Sequence, residues 1–159
     1  MQDEFLKHID AVFEKMIKNE EKRKIPAATY QILLLSLYSL SSGYFSALYI
    51  AGKRYGKEEL AKKIQGDFEK AIPLFCKIFS KMGLGKLKLV GKTDGKRITF
   101  QLKNGLAKDI GVVEKHICYF EAGIIAGFLE GKLNKHVIVQ ETLCCGMGDE
   151  YCEFIARIK

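Results

Sequence analysis

Four side chains in the C-terminal third carry the chemistry of a metal site: Cys118, Glu141, Cys144 and Cys152. Cys118 stands where a helix opens. Glu141 and Cys144 lie three residues apart at the end of a strand, and Cys152 begins the next strand across a turn that contains Gly146 and Gly148. Those elements can converge on one point. Three thiolates and one carboxylate complete a tetrahedral set for zinc, with about 2.3 Å to sulfur, about 2.0–2.2 Å to oxygen and no position left for water. Such a set is structural rather than catalytic, because a catalytic metal keeps one position open. Its four formal negative charges exceed the two on the ion, so lysines or backbone amides must lie close by. The same residues also read as three small core hydrophobes beside a carboxylate on a solvated edge. Spacing weighs the two readings alike, since Cys-x7-Cys is not a standard finger.

Other chemically suggestive positions have plainer readings. Gly91-Lys92-Thr93 resembles the end of a phosphate-binding loop, but the earlier glycine is missing at Lys86 and a hairpin follows where a helix N-terminus is needed. Gly83-Leu84-Gly85 fails the dinucleotide fingerprint on the same ground. No nucleotide or nicotinamide binding is therefore expected. His116 could serve as base to Cys118, but two-residue spacing on a helix points side chains apart. His8 and His136 read as surface or boundary residues, and Cys76, beside Phe75 and Ile78, reads as a small core hydrophobe.

With 159 residues, 48% of them hydrophobic, 28% charged and only 2 Pro, the chain fits a single compact domain over residues 1–159. The net charge of +7 comes almost wholly from Lys, with Arg only at Arg23, Arg54, Arg97 and Arg157. That is too few forked guanidinium groups for phosphate or guanine readout, and the lysines alternate with acids. A solvated face fits better than a nucleic-acid footprint. The acidic start, Met1-Gln2-Asp3-Glu4, does not read as a secretion signal, so the expected compartment is the cytoplasm. Thiols stay reduced there, which makes five cysteines metal ligands or core residues rather than a disulfide framework.

The elements that must position these groups follow from periodicity. Phe5, Ile9, Val12, Phe13 and Met16 recur at helical spacing. The uncharged stretch Ile25 to Gly52 is long enough to span a bilayer, but Ser36, Ser39, Gly43, Ser46 and Ala47 form a small or polar stripe opposite Leu33, Leu37, Leu40, Tyr44 and Leu48. We read it as one long buried helix, sandwiched in part by a second copy in a homodimer, and not as a membrane span. Its end is placed at Tyr55-Gly56, with Gly56 as a left-handed cap. A helix follows over about 67–82, with Pro73 inside it, and then the period changes to two. Leu87 and Leu89 answer Ile98, Phe100 and Leu102 across Thr93-Asp94-Gly95. His116 to Leu133 reads as a helix whose stripe of Ala122, Gly123, Ala126, Gly127 and Gly131 admits another backbone. Val137 to Leu143 and Cys152 to Ile158 form a second hairpin around Gly146-Met147-Gly148-Asp149. The class is α+β: N-terminal helices packed on an antiparallel sheet built from two β-hairpins.

The run Cys118-Tyr119-Phe120-Glu121-Ala122-Gly123, followed by Val139-Gln140-Glu141-Thr142-Leu143-Cys144, Gly148 and Cys152-Glu153-Phe154, resembles the 4-vinyl-reductase-type domain. That family includes stand-alone archaeal and bacterial proteins and the sensory domains of aromatic-responsive transcription activators. Its fold is similar to that of transport-particle subunits and of nitric-oxide-sensing haem domains. The resemblance implies zinc held by Cys118, Glu141, Cys144 and Cys152, a dimer, and a buried apolar pocket for an aromatic or hydrocarbon-like ligand. Cys145 has no counterpart in the motif and is a spare ligand at most. The chain has no Trp, so a pocket that grips a phenolic hydroxyl through Trp does not carry over.

The resulting expectation is a zinc-containing small-molecule-binding module with a sensory or carrier role. Its pocket is drawn from Tyr44, Phe45, Leu48, Phe120, Ile124 and Phe128. The rivals are a protein-interaction or assembly subunit without a ligand, which would expose a large apolar patch, and a tetrapyrrole-pathway reductase component. A metal enzyme would need the open coordination position that a four-residue shell denies.

Overall fold

In the uncharged stretch that follows residue 26, a serine divides the chain into two helices. The computed structural model describes residues 27–159 other than 42 and 94, so the amphipathic segment Phe5 to Met16 lies outside the described residues. Helix α1 covers Ala27–Leu40 and α2 covers Gly43–Tyr55. Between them the Ser41 hydroxyl accepts a hydrogen bond from the Gly43 N–H at 3.2 Å, and the Ser41 carbonyl accepts from Tyr44. A serine that caps the next helix in this way competes with continuation of the first. The expected single long buried helix is thus two helices, and the first is far from buried. Leu34 is covered, whereas Ile32, Leu33 and Leu40 are 65%, 57% and 69% exposed. Ser36 and Ser39 bond back to carbonyls of their own helix, which satisfies them without any neighbour.

The end of α2 also differs from expectation. Gly56 does not cap it; the chain continues through a π-helical turn, Gly56–Leu60, into the short α3, Ala61–Lys63. Gly56 is needed for closeness rather than for a left-handed turn. A Cβ there would lie 2.8 Å from the Phe128 amide nitrogen, and one on Gly52 would lie 3.0 Å from that of Ile124. The opposite helix, α5 (Tyr119–Leu133), answers with its own glycines. A Cβ on Gly123 would stand 2.9 Å from the Lys53 nitrogen, and one on Gly127 2.8 Å from that of Lys57. Four glycines therefore let α2 and α5 meet backbone to backbone, as the small stripe on α5 predicts.

After α4 (Phe68–Lys81), capped by the Asp67 carboxylate on the Lys70 N–H at 3.0 Å, come strands β1 (Lys86–Thr93) and β2 (Arg97–Lys103). Strands β3 (Val137–Leu143) and β4 (Cys152–Ile158) follow α5. The four form one antiparallel sheet in the order β1-β2-β4-β3, two hairpins joined through β2 and β4. The α+β reading, with helices in the N-terminal half against a four-stranded antiparallel sheet, is what the structure shows. Register sets Phe100 opposite Phe154 and Glu141 opposite Phe154, so Glu141 shares the buried face of the sheet with Val137 and Val139. Helix α5 lies between that face and α2, which explains why every residue from Glu121 to Glu130 is buried. Phe75 of α4 stacks on Phe128 with ring centroids 3.9 Å apart at the centre of the core.

Glu130 ties three elements together. It accepts from the Lys53 ammonium at 2.8 Å, from His136 Nδ1 at 2.9 Å and from the Val137 N–H at 2.9 Å. Burial pushes its carboxyl up, but the bonds from Lys53 and Val137 and the Lys charges more than offset this and hold it below the usual glutamate range. Among the described residues no helix is long and apolar enough to cross a membrane.

Candidate metal centre

Helix α5 begins one residue after Cys118, which occupies its N-cap position. The His116–Cys118 spacing is therefore a loop spacing, and the helical argument against that pair does not apply. The Cys118 N–H donates to Glu141 Oε2 at 3.2 Å, which docks the loop on β3. A bulge after Glu141 ends the regular pairing of β3 with β4. Beyond it the chain turns at Cys144 into a single 3-10 turn, Cys145–Met147, and reverses at Gly148, whose φ of +99° suits glycine. Cys152 then opens β4.

This turn aims backbone donors at sulfur. The Gly146 N–H donates to Cys144 Sγ at 3.3 Å and the Cys145 N–H to Cys152 Sγ at 3.5 Å. The Asp149 carboxylate holds the Cys144 amide at 2.8 Å, which fixes the turn from the side. The support expected from lysines or amides comes from amides. Cys145 enters through its backbone; its half-buried side chain is not among the convergent donors.

Cys118, Glu141, Cys144 and Cys152 each offer one donor atom, and the four atoms lie within 4.8 Å of one another, all on buried residues. Cys118 Sγ and Cys152 Sγ are 3.6 Å apart, close to the edge of about 3.8 Å of a tetrahedron whose centre lies about 2.3 Å from each sulfur. Two further observations fit a cation. Glu141 Oε1 is buried without a hydrogen-bond partner, a costly state for a carboxylate oxygen. Burial and the neighbouring Cys144 push the Glu141 carboxyl up to about 9, although the Cys118 amide pulls the other way. Cys144 is held low, accepting from the Cys118 and Cys152 thiols, while the Cys118 thiol is driven well up by donating to them and by burial. The four donors compete for one negative charge, and a divalent cation at their centre relieves that competition.

Beside the cluster lies an open cleft of about 450 Å³. Ser46, Tyr49 and Ile50 of α2 form one wall, Tyr119 and Ala122 another, and Val139 to Glu141 the floor. His116 and Cys118 close the inner end. A second cleft of about 360 Å³ shares His116 and Tyr119 and is bordered by Phe45 and Met147. Tyr119 stacks on Phe45 with centroids 4.7 Å apart.

The six pocket candidates fall elsewhere. Ile124 and Phe128 are fully buried in the core, Leu48 and Phe120 are half-buried against it, and Tyr44 is 43% exposed. Only Phe45 borders a cleft, the smaller one. Sequence reasoning passed over Ser46, Tyr49, Ile50 and His116. The signal available was their helical offset from the small positions of α2, readable only once Gly52 and Gly56 are known to face α5. It also passed over Glu121, a glutamate buried on α5 and pushed up to about 7, chiefly by burial.

The sequence profile of the vinyl-4-reductase domain matches residues 103–158, the segment that supplies all four donors. A protein of Methanocaldococcus jannaschii whose own role is uncharacterised is 32% identical over 159 residues, spanning 96% of this chain and 90% of that one. Among solved structures, the phenol-responsive sensory domain of the transcription activator PoxR with phenol superposes with a TM-score of 0.69 at 17% identity, covering 87% of this chain and 78% of the other. A vinyl-4-reductase family protein from Methanocaldococcus jannaschii gives 0.68 at 24%, covering 95% of each. A trafficking protein particle complex subunit and an H-NOX protein share the fold more distantly, at TM-scores of 0.62 and 0.53. By profile, by sequence over nearly its whole length and by fold, this chain belongs to the vinyl-4-reductase domain family.

Proposed function

We propose that the chain is a single-domain, zinc-containing binding module that takes an aromatic or hydrocarbon-like small molecule in the cleft beside Glu141, in a sensory or carrier role. The observation that carries this reading is the shared wall: Cys118 and Glu141 belong both to the four-donor cluster and to the lining of the cleft. Cys118, Glu141, Cys144 and Cys152 hold the ion, which when bound supplies a fixed positive centre and no open coordination position. The chain's own groups do the rest. The Cys118 amide orients Glu141, the amides of Cys145 and Gly146 hold two sulfurs, and Tyr49, Ile50, Tyr119 and Val139 offer the apolar surface. That a similar fold carries phenol in one protein and covalently bound palmitic acid in another supports an apolar ligand. Five free cysteines suit the reducing cytoplasm. An archaeal source fits the organism of the relatives.

A homodimer is part of the proposal. Ile32, Leu33, Leu40 and Ile50 stand exposed along α1 and α2, an apolar surface that a second copy would cover. The same surface favours the assembly-subunit reading, which differs in requiring no ligand. Metal analysis of protein purified without affinity metals is expected to give one zinc per chain, and its absence overturns the metal centre. Native mass spectrometry is expected to show a dimer with a co-purifying apolar small molecule. A dimer in which added phenol and palmitate both fail to bind leaves the assembly role in place of the binding role.

A further inference from the structure

Two buried polar atoms lack hydrogen-bond partners among the described residues, and they belong to neighbours: Glu141 Oε1 and His116 Nδ1. His116 Nδ1 stands 3.6 Å from Glu141 Oε2, too far for a hydrogen bond but separated from one by well under an ångström. His116 is not one of the mutually close donors, so it borders the set rather than completing it. The loop that carries it is pinned to the cysteine turn. The Val113 N–H donates to the Gly146 carbonyl at 2.8 Å, and Gly146 presses on the Lys115 carbonyl so closely that a Cβ would lie 2.9 Å from it. The imidazole is thus presented to Glu141 by a fixed backbone, while the rest of the ring borders both clefts.

We propose that His116 is a positioning residue for the metal: its Nδ1–H donates to Glu141 Oε2 and leaves Oε1 as the coordinating oxygen. The division of the carboxylate follows from its surroundings. Oε2 already receives the Cys118 N–H and faces the imidazole, whereas Oε1 has no protein donor. A metal-bound carboxylate accepts but does not donate, so the Nδ1–H tautomer is the one that satisfies both orphaned atoms at once. Outer-shell partners of this kind are worth about 10–100-fold in metal affinity. The inference rests on the four-donor reading above.

Cobalt(II), added to metal-free protein as a spectroscopic stand-in for zinc, is the probe. His116→Phe is expected to weaken cobalt binding about 10–100-fold and to shift the visible absorption bands, while His116→Asn, which keeps an N–H donor near the Nδ1 position, restores both. An unchanged affinity and spectrum in His116→Phe overturns the proposal, as does equal loss in the Phe and Asn variants. Nitrogen NMR of wild-type zinc protein gives a check without substitution: the His116 ring should be protonated at Nδ1, and an Nε2–H tautomer contradicts the role. Failure of the wild-type chain to bind cobalt at all defeats the four-donor reading itself, an outcome distinct from the others.

Discussion

Cys118 and Cys152 are 34 residues apart in the chain, yet their sulfur atoms lie 3.6 Å from each other. One sulfur belongs to the cap of α5 and the other to the first residue of β4, so whatever fills the space between them ties the helix to the sheet.

Removing the metal should therefore loosen the whole α5–hairpin end. A ligand present at about a thousand times its Kd stabilises the folded state by about 4 kcal/mol, and about 2–4 °C accompanies each kcal/mol at this chain size. Calorimetry is expected to show Tm falling on the order of 10 °C on adding a chelator. Cys152→Ser should show a comparably lowered Tm before chelation and little further change after it. An equal response of wild type and variant to chelator would contradict the cluster.

The contact of Gly127 with the backbone of Lys53 and Lys57 leaves no room for a methyl group. Because backbone on both sides must move, Gly127→Ala is expected to cost about 3 kcal/mol or more. Gly43→Ala, at an exposed helix start where the nearest atom beyond its chain neighbours is the Ser41 hydroxyl at 3.5 Å, should be close to neutral. Urea midpoints of the two variants separate packing at the helix crossing from helix propensity.

Glu130 gives stability a pH dependence of known sign. Its folded carboxyl sits below the ordinary glutamate value of about 4.3, so its contribution is present above that value and is lost as pH falls through the lower folded one. Glu130→Gln is expected to cost about 1.5–3 kcal/mol at about pH 7, the range for hydrogen bonds to charged groups. The difference from wild type should shrink toward zero as the medium is acidified below about pH 4. Denaturant titrations from about pH 3 to about pH 8 measure it. A difference that stays constant over that range would remove the ionic role of Glu130.

Much of this architecture is written in local pattern. Alternation at Leu87, Ile98, Phe100, Val137, Val139 and Phe154 dictates strands with one buried face, and Gly148 dictates where the second hairpin turns. The order Cys118, Glu141, Cys144, Cys152 marks candidate ligands because thiols and a carboxylate keep their chemistry wherever they fall. Convergence does not follow from order. It depends on a bulge after Glu141, on two amides aimed at sulfur, and on a helix that starts at Tyr119 rather than at His116. The cleft is less legible still. A helix apolar all round does not say which side meets which neighbour; the crossing of Gly52 and Gly56 over Gly123 and Gly127 decides that Ser46, Tyr49 and Ile50 face the metal end while Ile124 and Phe128 turn into the core. Such contacts join residues about 70 positions apart, and no periodicity within a single element encodes them.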